Sequence, residues 1–182
     1  MRSLALSVLI GLVGAALLHI VIVLALPRWT GSDAFTRVTA LGETGRFFAL
    51  ANEANPTGLF NDDPHIRSAV CRFDLSDGPV RVLANGDVPI WTTATYDAAS
   101  NETYSLNDRS AIGDGVDLTL VTPTQLLLLK RNMPAALTRS VMVELKQEQG
   151  YVVIRAIVPD KSAETSARAF LSEATCNTMV LG

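Results

Sequence analysis

The hydrophobic pattern begins with an uninterrupted apolar run over residues 4–26, LALSVLIGLVGAALLHIVIVLAL, which contains no Asp, Glu, Lys or Arg. A helix of this length, rising about 1.5 Å per residue, spans the roughly 30 Å hydrocarbon core of a bilayer. Pro27, Arg28 and Trp29 follow, and Arg and Trp suit the membrane interface. A cleaved secretory signal has only about 7 to 15 apolar residues and needs a small residue where Pro27 stands. We therefore expect an uncleaved signal-anchor, a transmembrane helix over residues 1–29.

The pattern after the anchor predicts a short helix and then a loop over residues 30–60. In "SDAFTRVTALG", Ser32 is a candidate helix cap and Gly42 stands where the helix would stop. Three apolar residues of this stretch share one helical face: Ala34, Val38 and Leu41. The Asn, Pro, Gly and Asp residues of "ANEANPTGLFNDDPH" then predict a loop.

Residues 61–182 show the alternation that is typical of β-strands. "SAVCRFDL" places Ala69, Cys71 and Phe73 on one face, and the turn "SDGP" leads into a second strand, "VRVLA". "IWTTATY" and "TYSL" are rich in threonine and aromatic residues, and "DLTLVT" alternates again. "SVMVELK", the turn "QEQG" and "YVVIRAIVP" predict a further hairpin.

Two helices are predicted within this sheet domain. "TPTQLLLLKR" fits a capping box of Thr122 and Gln125 with Pro123 at the first helical position, although its Leu run alone equally fits a buried strand; we expect a short helix. The last helix, in "SAETSARAFLSEATC", delivers Cys176 at its end and has one apolar face: Ala163, Ala167, Phe170, Leu171 and Ala174. The predicted fold class is α+β: one N-terminal transmembrane helix, then a mainly antiparallel β-sheet domain with short helices at its ends.

The chain is acidic, with a formal charge of −3, and residues 29–182 carry 13 basic and 18 acidic side chains, or −5. Binding of nucleic acid needs a basic face, so no nucleic acid partner is expected. The basic residues around the end of the anchor, Arg28, Arg37 and Arg46, would by themselves favour a cytoplasmic domain. Large domains translocate largely regardless of that rule, so the charge count leaves the orientation open.

Cys71 and Cys176 are the two cysteines of the chain, and both follow the anchor. An oxidising compartment would join such a pair in one disulfide. Closing a loop of about 100 residues contributes up to about 4 to 5 kcal/mol in the chain-entropy account. Two separate buried thiols are the alternative. The membrane context favours the bridge, and with it an exported domain whose last helix is pinned to its first main strand.

Ser7, Gly11 and Ala15 recur at every fourth position of the apolar run, and His19 continues the same stripe. Small residues in such a stripe let a second helix approach closely. His19 lies about 6 Å beyond the midpoint of the span, a depth at which an ionisable group normally faces protein or water. Besides the lipid bilayer, we expect a partner helix from another membrane protein or from a second copy. The alternative is a lipid-facing stripe, because small residues are common in membrane helices and a neutral histidine is tolerated there.

Candidates for catalytic chemistry are sparse. His65 is the only histidine after the anchor, so a Ser/His/Asp or Cys/His system would have to use it. No Gly-x-Ser-x-Gly turn occurs, and the cysteines are expected to pair with each other. Asp62, Asp63 and His65 offer oxygen and nitrogen ligands, but "NDDPH" is also ordinary turn chemistry. We expect no catalytic residue, no metal and no cofactor, and therefore a protein that is not an enzyme.

The stretch "IWTTATYDAASNETYSLNDR" has two interpretations. In the first, its polar centre is a hairpin loop, and the end of the returning strand carries a surface ion pair worth under about 1 kcal/mol. In the second, Arg109 binds a ligand carboxylate or phosphate in a polar pocket with an aromatic wall. The candidate ligand-binding residues are then Trp91, Tyr96, Asn107, Asp108 and Arg109.

The order of three motifs between Asn61 and Cys176 carries a family resemblance. "NDDPHIRSAVCRFDLSDGPVRV", "IWTTATYDAASNETYSLNDR" and "GYVVIRAIVP" resemble the bacterial envelope family known as domain of unknown function 1254, in its short single-pass form. "FDLSDGPV" and "TYDAASNETYSLNDR" are the most specific parts. The resemblance implies an inner-membrane anchor, a β-rich domain facing the periplasm and a paired partner, since members are often encoded beside a second small membrane protein. It supplies no catalytic residues.

The expected function is that of a single-pass inner-membrane protein. Its periplasmic β-rich domain, residues 61–182, would act as an interaction or accessory subunit of an envelope complex. The alternative is a periplasmic small-ligand-binding or enzymatic domain that uses the polar pocket near Arg109.

Overall fold

The apolar N-terminal run forms one helix, α1, over Arg2–Trp29. Its segment Ser3–Leu26 has a mean hydropathy of 2.8, and none of that segment is buried. By length and composition the helix is able to cross a membrane, a property that the helix of a signal sequence shares.

The computed structural model describes residues 2–29, 34–113 and 115–180, so Ser32 lies outside the described residues. Contacts divide the chain into two units, residues 1–33 and residues 34–182. The second unit contains, in chain order, α2 (Ala34–Leu41), β1 (Phe47–Ala49), β2 (Ile66–Asp74), β3 (Val80–Asn85), β4 (Trp91–Asp97), β5 (Glu102–Asn107), β6 (Gly115–Val121), α3 (Pro123–Arg131), a 3₁₀ helix (Ala135–Leu137), β7 (Val141–Glu144), β8 (Gln149–Ile157), α4 (Glu164–Ser172) and β9 (Thr175–Thr178).

The described strands form two sheets. The five-stranded sheet has the order β1-β2-β8-β4-β5, and the four-stranded sheet has the order β7-β6-β3-β9. Neighbouring strands are antiparallel except for β6 and β7, which are parallel. The predicted α+β class with mainly antiparallel strands is confirmed, and the strands are divided between two sheets.

The two sheets face each other across one hydrophobic core that takes side chains from both. Along β2, Ala69, Cys71 and Phe73 point into this core, as their alternation predicted. The middle strand of the five-stranded sheet, β8, is buried on both faces over most of its length. Burial on both faces explains why its sequence is an almost continuous apolar run.

A disulfide joins the two sheets, because Cys71 lies in β2 and Cys176 lies in β9. Their Cα atoms are 6.6 Å apart, and both side chains are enclosed in the core. The bridge spans a sequence separation of 105 residues, which in the chain-entropy account corresponds to about 4 to 5 kcal/mol. The predicted bridge is confirmed, but it fixes β9 to β2 and not the end of the last helix to β2.

Helices cover both outer faces of the sheets. Val38 of α2 packs on β2 and β8 at the outer face of the five-stranded sheet. Leu129 of α3 and Leu137 of the 3₁₀ helix pack on the outer face of the four-stranded sheet. The last helix, α4, contacts β2 and β8 of one sheet and β3 of the other, and its Phe170 ring lies 6.2 Å from the Trp91 ring between centroids.

The hairpin predicted from "SVMVELK", "QEQG" and "YVVIRAIVP" is wrong. β7 pairs in parallel with β6 in the four-stranded sheet, whereas β8 lies between β2 and β4 in the five-stranded sheet. The residues between β7 and β8 therefore cross from one sheet to the other. Alternating apolar residues fix which face of a strand is buried but not which strand lies beside it, so the local turn pattern indicated the wrong neighbour.

The end of the chain also differs from its prediction. Ala167, Phe170 and Leu171 are buried as predicted, but α4 ends at Ser172, and Cys176 belongs to the separate strand β9. Neither β9 nor β1 was predicted. These strands have four and three residues, too few for an alternating pattern to be recognised.

Candidate functional site

An open groove of about 800 Å³ lies where strand ends of both sheets meet. The β3–β4 loop forms one side with Asp87, Val88 and Pro89, and the β5–β6 loop forms another with Asp108 and Ile112. The groove is also lined by the first residue of β4, by the start of β6, and by a residue that precedes β7: Trp91, Gly115, Asp117 and Arg139. Its volume falls within the range of about 300 to 1,000 Å³ that is typical of small-molecule sites.

Trp91 forms the inner wall of this groove. Its side chain is only 2 % exposed, because it packs in the core against Phe170 of α4. Within the described residues its indole N–H has no hydrogen-bond partner, and Nε1 is not fully buried. The N–H therefore keeps contact with solvent, and on a side chain held by the core it is a hydrogen-bond donor available to a ligand.

Some charged side chains of the groove are paired with another protein side chain, and others are not. Asp117 accepts two hydrogen bonds from Arg81, at 3.1 Å from Nε and 2.8 Å from Nη2, and this contact raises the pKa of Arg81 above its ordinary value. Among the described residues, the side chains of Asp87, Asp108 and Arg139 make no hydrogen bond and no ion pair. Among its described lining residues, the groove thus holds two carboxylates and one guanidinium that remain available to a ligand.

Two of the predicted ligand-binding residues, Trp91 and Asp108, line the groove together. Asn107 is adjacent in sequence but has a local role: its Oδ1 accepts hydrogen bonds from the backbone N–H groups of Arg109, at 3.1 Å, and Ser110, at 3.0 Å. It closes the turn after β5. Arg109 is exposed and is not part of the lining. The surface ion pair expected at the end of the returning strand, between Asp108 and a neighbouring arginine, is absent within the described part of the chain.

The fifth predicted residue, Tyr96, lies on the other face of β4. Trp91 and Tyr96 are five positions apart, and successive side chains of a strand point to opposite faces. The Tyr96 ring stacks on the Tyr151 ring, with centroids 4.9 Å apart and an interplanar angle of 12°. This pair belongs to the outer cluster that α2 covers, so β4 separates Tyr96 from the groove.

Two groove residues, Asp87 and Arg139, were not recognised from the sequence. Asp87 lies in the loop "NGDVP", which is a turn signal by composition, and Arg139 follows the 3₁₀ helix. A charged residue in a loop is ordinary, and nothing local marks these two as neighbours of Trp91. Asp87 and Arg139 come to the same groove because the two sheets pack face to face.

The segment "NDDPH" has the geometry of a turn. The backbone N–H of His65 donates to Asp63 Oδ1 at 2.7 Å, and His65 Nδ1 lies 3.1 Å from the carbonyl oxygen of Val158. Within the described ranges, no group of three or more His, Cys, Asp or Glu side chains is arranged to hold a metal ion. Both cysteines are committed to the disulfide.

The predicted partner face of α1 is fully exposed in this unit. Ser7, Gly11, Ala15 and His19 all lie on the exposed surface of the helix. Ser7 Oγ donates to the carbonyl oxygen of Ser3 at 3.0 Å, which satisfies its hydroxyl within the helix. A Cβ added at Gly11 would have nothing within 4 Å, so the space beside it is open to another molecule.

A second exposed feature, the α3 patch, consists of Leu127, Leu128, Lys130, Arg131 and Met133. The three apolar side chains are 64 %, 47 % and 42 % exposed, and both basic residues are exposed as well. The inward side of the same helix is buried through Leu129. Residues 118–143 contain three basic and no acidic residues, so the patch is basic on a chain that is acidic overall.

No protein-family model and no curated protein sequence matches this chain. Among solved structures, the VPA0106 protein from Vibrio parahaemolyticus is 12 % identical, with a TM-score of 0.49 over 64 % of this chain and 28 % of that one. An uncharacterized protein from Burkholderia cenocepacia is 14 % identical, with a TM-score of 0.49 over 81 % of this chain and 41 % of that one. The chain spans less than half the length of either protein.

Proposed function

We propose that this protein is a non-enzymatic accessory subunit of a bacterial envelope complex. In this proposal α1 is a single-pass inner-membrane anchor, and the two-sheet domain lies in the periplasm. The domain contributes binding surfaces and no chemical step. The exposed α3 patch is the observation that carries this role.

The proposed location rests on α1 and on the disulfide. The uncharged segment of α1 is 24 residues long, which matches the thickness of a bilayer. The Cys71–Cys176 bridge lies in the core between the sheets, and such structural disulfides persist in oxidising compartments such as the periplasm. The motif resemblance to the family known as domain of unknown function 1254 supports the same location.

The exposure of the α3 patch to water supports the accessory role. Leu127, Leu128 and Met133 lie within seven residues of sequence and are 42 to 64 % exposed, and clustered exposed apolar side chains favour an interaction site. Lys130 and Arg131 border these side chains at the end of α3. An apolar centre beside a charged rim is the usual composition of a protein interface. The complementary partner therefore has an apolar surface with acidic residues around it.

The exposed stripe of α1 supports a second contact with the same complex. Ser7, Gly11 and Ala15 leave room for a close helix neighbour, and His19 would find a polar partner there instead of lipid. In this proposal the partner is a membrane protein or a second copy of the chain, and it contacts both α1 and the α3 patch.

Site-specific photo-cross-linking in native membranes tests the accessory role. With p-benzoylphenylalanine in place of Leu128, we expect one discrete adduct, whose mass identifies either a second copy or another protein. Lys130→Glu combined with Arg131→Glu should reduce the adduct yield, because like charges would then face the acidic rim of the partner.

The same probe in place of Val180 is the matched control, since Val180 is 93 % exposed and lies outside the α3 patch. It should give no such adduct. The proposal fails if position 128 gives no adduct, or if positions 128 and 180 give the same adducts in equal yield.

A further inference from the structure

We infer that the groove beside Trp91 binds a small zwitterionic ligand, one that carries a primary amine, a carboxylate and a carbonyl group, as a dipeptide does. This inference goes beyond the accessory role, because it concerns a different surface and a different class of ligand.

The charges of the groove select a ligand with both signs. Asp87 and Asp108 are carboxylates without a protein partner in the described part of the chain, and Arg139 is a guanidinium in the same situation. A cation alone would face Arg139, an anion alone would face two carboxylates, and both arrangements place like charges together although Asp87 and Arg139 are exposed. An ammonium group placed toward the carboxylates and a carboxylate placed toward Arg139 satisfies all three.

Asp117 does not change this balance. Its carboxylate is held by Arg81 through two hydrogen bonds, so the pair is neutral as a unit and contributes shape instead of net charge. Within the described lining, the choice between signs therefore rests with the three unpaired side chains.

Trp91 supplies an independent reason to expect a ligand. The Trp91 side chain is 2 % exposed, and its N–H has no acceptor among the described residues while Nε1 keeps contact with solvent, so a ligand acceptor in the groove can replace water at this donor. Asp87, Asp108 and Arg139 line the same groove as Trp91. The peptide carbonyl of a dipeptide is the acceptor that fits between the two charged ends of the ligand.

The size of the groove is consistent with this class. About 800 Å³ is more than a single amino acid needs and is sufficient for a dipeptide with ordered water. Val88, Pro89 and Ile112 give apolar surface for small side chains of the ligand.

The indole N–H of Trp91 is also the best reporter for a test. The chain contains two tryptophans, so Trp29→Phe leaves a single indole signal in the nitrogen-15 spectrum of the full chain in lipid nanodiscs. The probe is L-alanyl-L-alanine. Two blocked probes, N-acetyl-L-alanyl-L-alanine and L-alanyl-L-alanine amide, each remove one charge.

We expect the Trp91 indole signal to move saturably with the unblocked dipeptide. Each blocked probe should bind at least about tenfold more weakly, because one charge-assisted hydrogen bond is lost. Asp108→Asn and Arg139→Gln should each weaken the binding of the dipeptide to a similar degree. Arg109→Gln is the matched control, since Arg109 is an exposed neighbour outside the groove, and it should leave the affinity unchanged.

Two results would overturn the inference. One is an indole signal that does not move with the dipeptide up to about 10 mM, a concentration well above the dissociation constant of even a weak specific site. The other is equal movement with the blocked probes. If Asp108→Asn disturbs the whole spectrum, Asp87→Asn takes its place, because the side chain of Asp87 is exposed.

Discussion

At the scale of single residues, Gly150 shows how closely the backbones of the five-stranded sheet approach. It lies near the start of β8, opposite Phe73 of β2 and Asp97 of β4. A Cβ at this position would lie 2.1 Å from the carbonyl oxygen of Tyr96 and 2.6 Å from Cζ of Phe73. The first of these neighbours is backbone and cannot move without disturbing the pairing of β4 with β8.

We expect Gly150→Ala to lower the free energy of unfolding by about 1 to 3 kcal/mol, as overpacked core substitutions do. Chemical denaturation followed by tryptophan fluorescence measures the change. Gly14→Ala in α1 is the control, because a Cβ there meets nothing within 4 Å. Equal denaturation midpoints for Gly150→Ala and the parent chain would contradict this prediction, because the sheet would then accommodate the added methyl group without losing stability.

At the scale of elements, a charge contact docks α4 on β2. Glu164 at the start of α4 accepts hydrogen bonds from Arg67 of β2, at 3.0 Å from Nε and 2.9 Å from Nη2, and it also contacts Arg168 one turn later. The hydrogen bonds from Arg67, and then those from Arg168, hold the pKa of Glu164 below its ordinary value.

This contact makes the docking of α4 sensitive to acid. Because the pKa of Glu164 is lowered on folding, its stabilisation is present above the ordinary glutamate pKa of about 4.5 and is lost as the pH falls through the folded value. We expect Glu164→Gln to reduce stability at neutral pH and to flatten the decline of stability below pH 4.5. The effect is modest, since the side chain is 25 % exposed and water screens the pair.

Thermal unfolding between pH 3 and pH 7 measures this dependence. Glu173→Gln, at the other end of α4, is the control, because Glu173 makes no ion pair within the described residues. Parallel pH profiles for Glu164→Gln and the parent chain would contradict the role of Glu164.

Elements whose signals are local were predictable from the sequence. The capping box of Thr122 and Gln125 with Pro123 at the start of α3 is present as predicted, because its bonds join residues only three positions apart. The core-facing side of β2 and the β4–β5 hairpin were also recognised. The partners of β7 and β8 were not, since strand pairing between distant segments depends on the assembled core and not on the turn between them.

The candidate site was predictable only in part for the same reason. Trp91 and Asp108 belong to the stretch that the sequence singled out, and both line the groove. Asp87 and Arg139 come from loops on other strands, and their proximity to Trp91 arises only when the two sheets face each other. Tyr96 was grouped with Trp91 by sequence distance, although the pleat of β4 directs their side chains to opposite faces.

At the scale of the whole molecule, three features combine in the proposed account. α1 is able to span a bilayer, the disulfide ties the two sheets together across their core, and the exposed surface of the second unit offers a groove and a basic apolar patch. An anchored domain with an interior disulfide is suited to the outer side of an inner membrane, where oxidation is possible and a partner is held at high local concentration.

Thiol trapping in carbonate-washed membranes tests this central claim most directly. The full chain, expressed in a Gram-negative bacterium, is denatured in SDS with a maleimide-linked polymer, with and without prior reduction. We expect a membrane-retained chain that still contains residues 1–29 and that gains two polymer adducts, on Cys71 and Cys176, only after reduction. A chain that has lost residues 1–29, or that is labelled at both thiols without reduction, would contradict an anchored domain in an oxidising compartment.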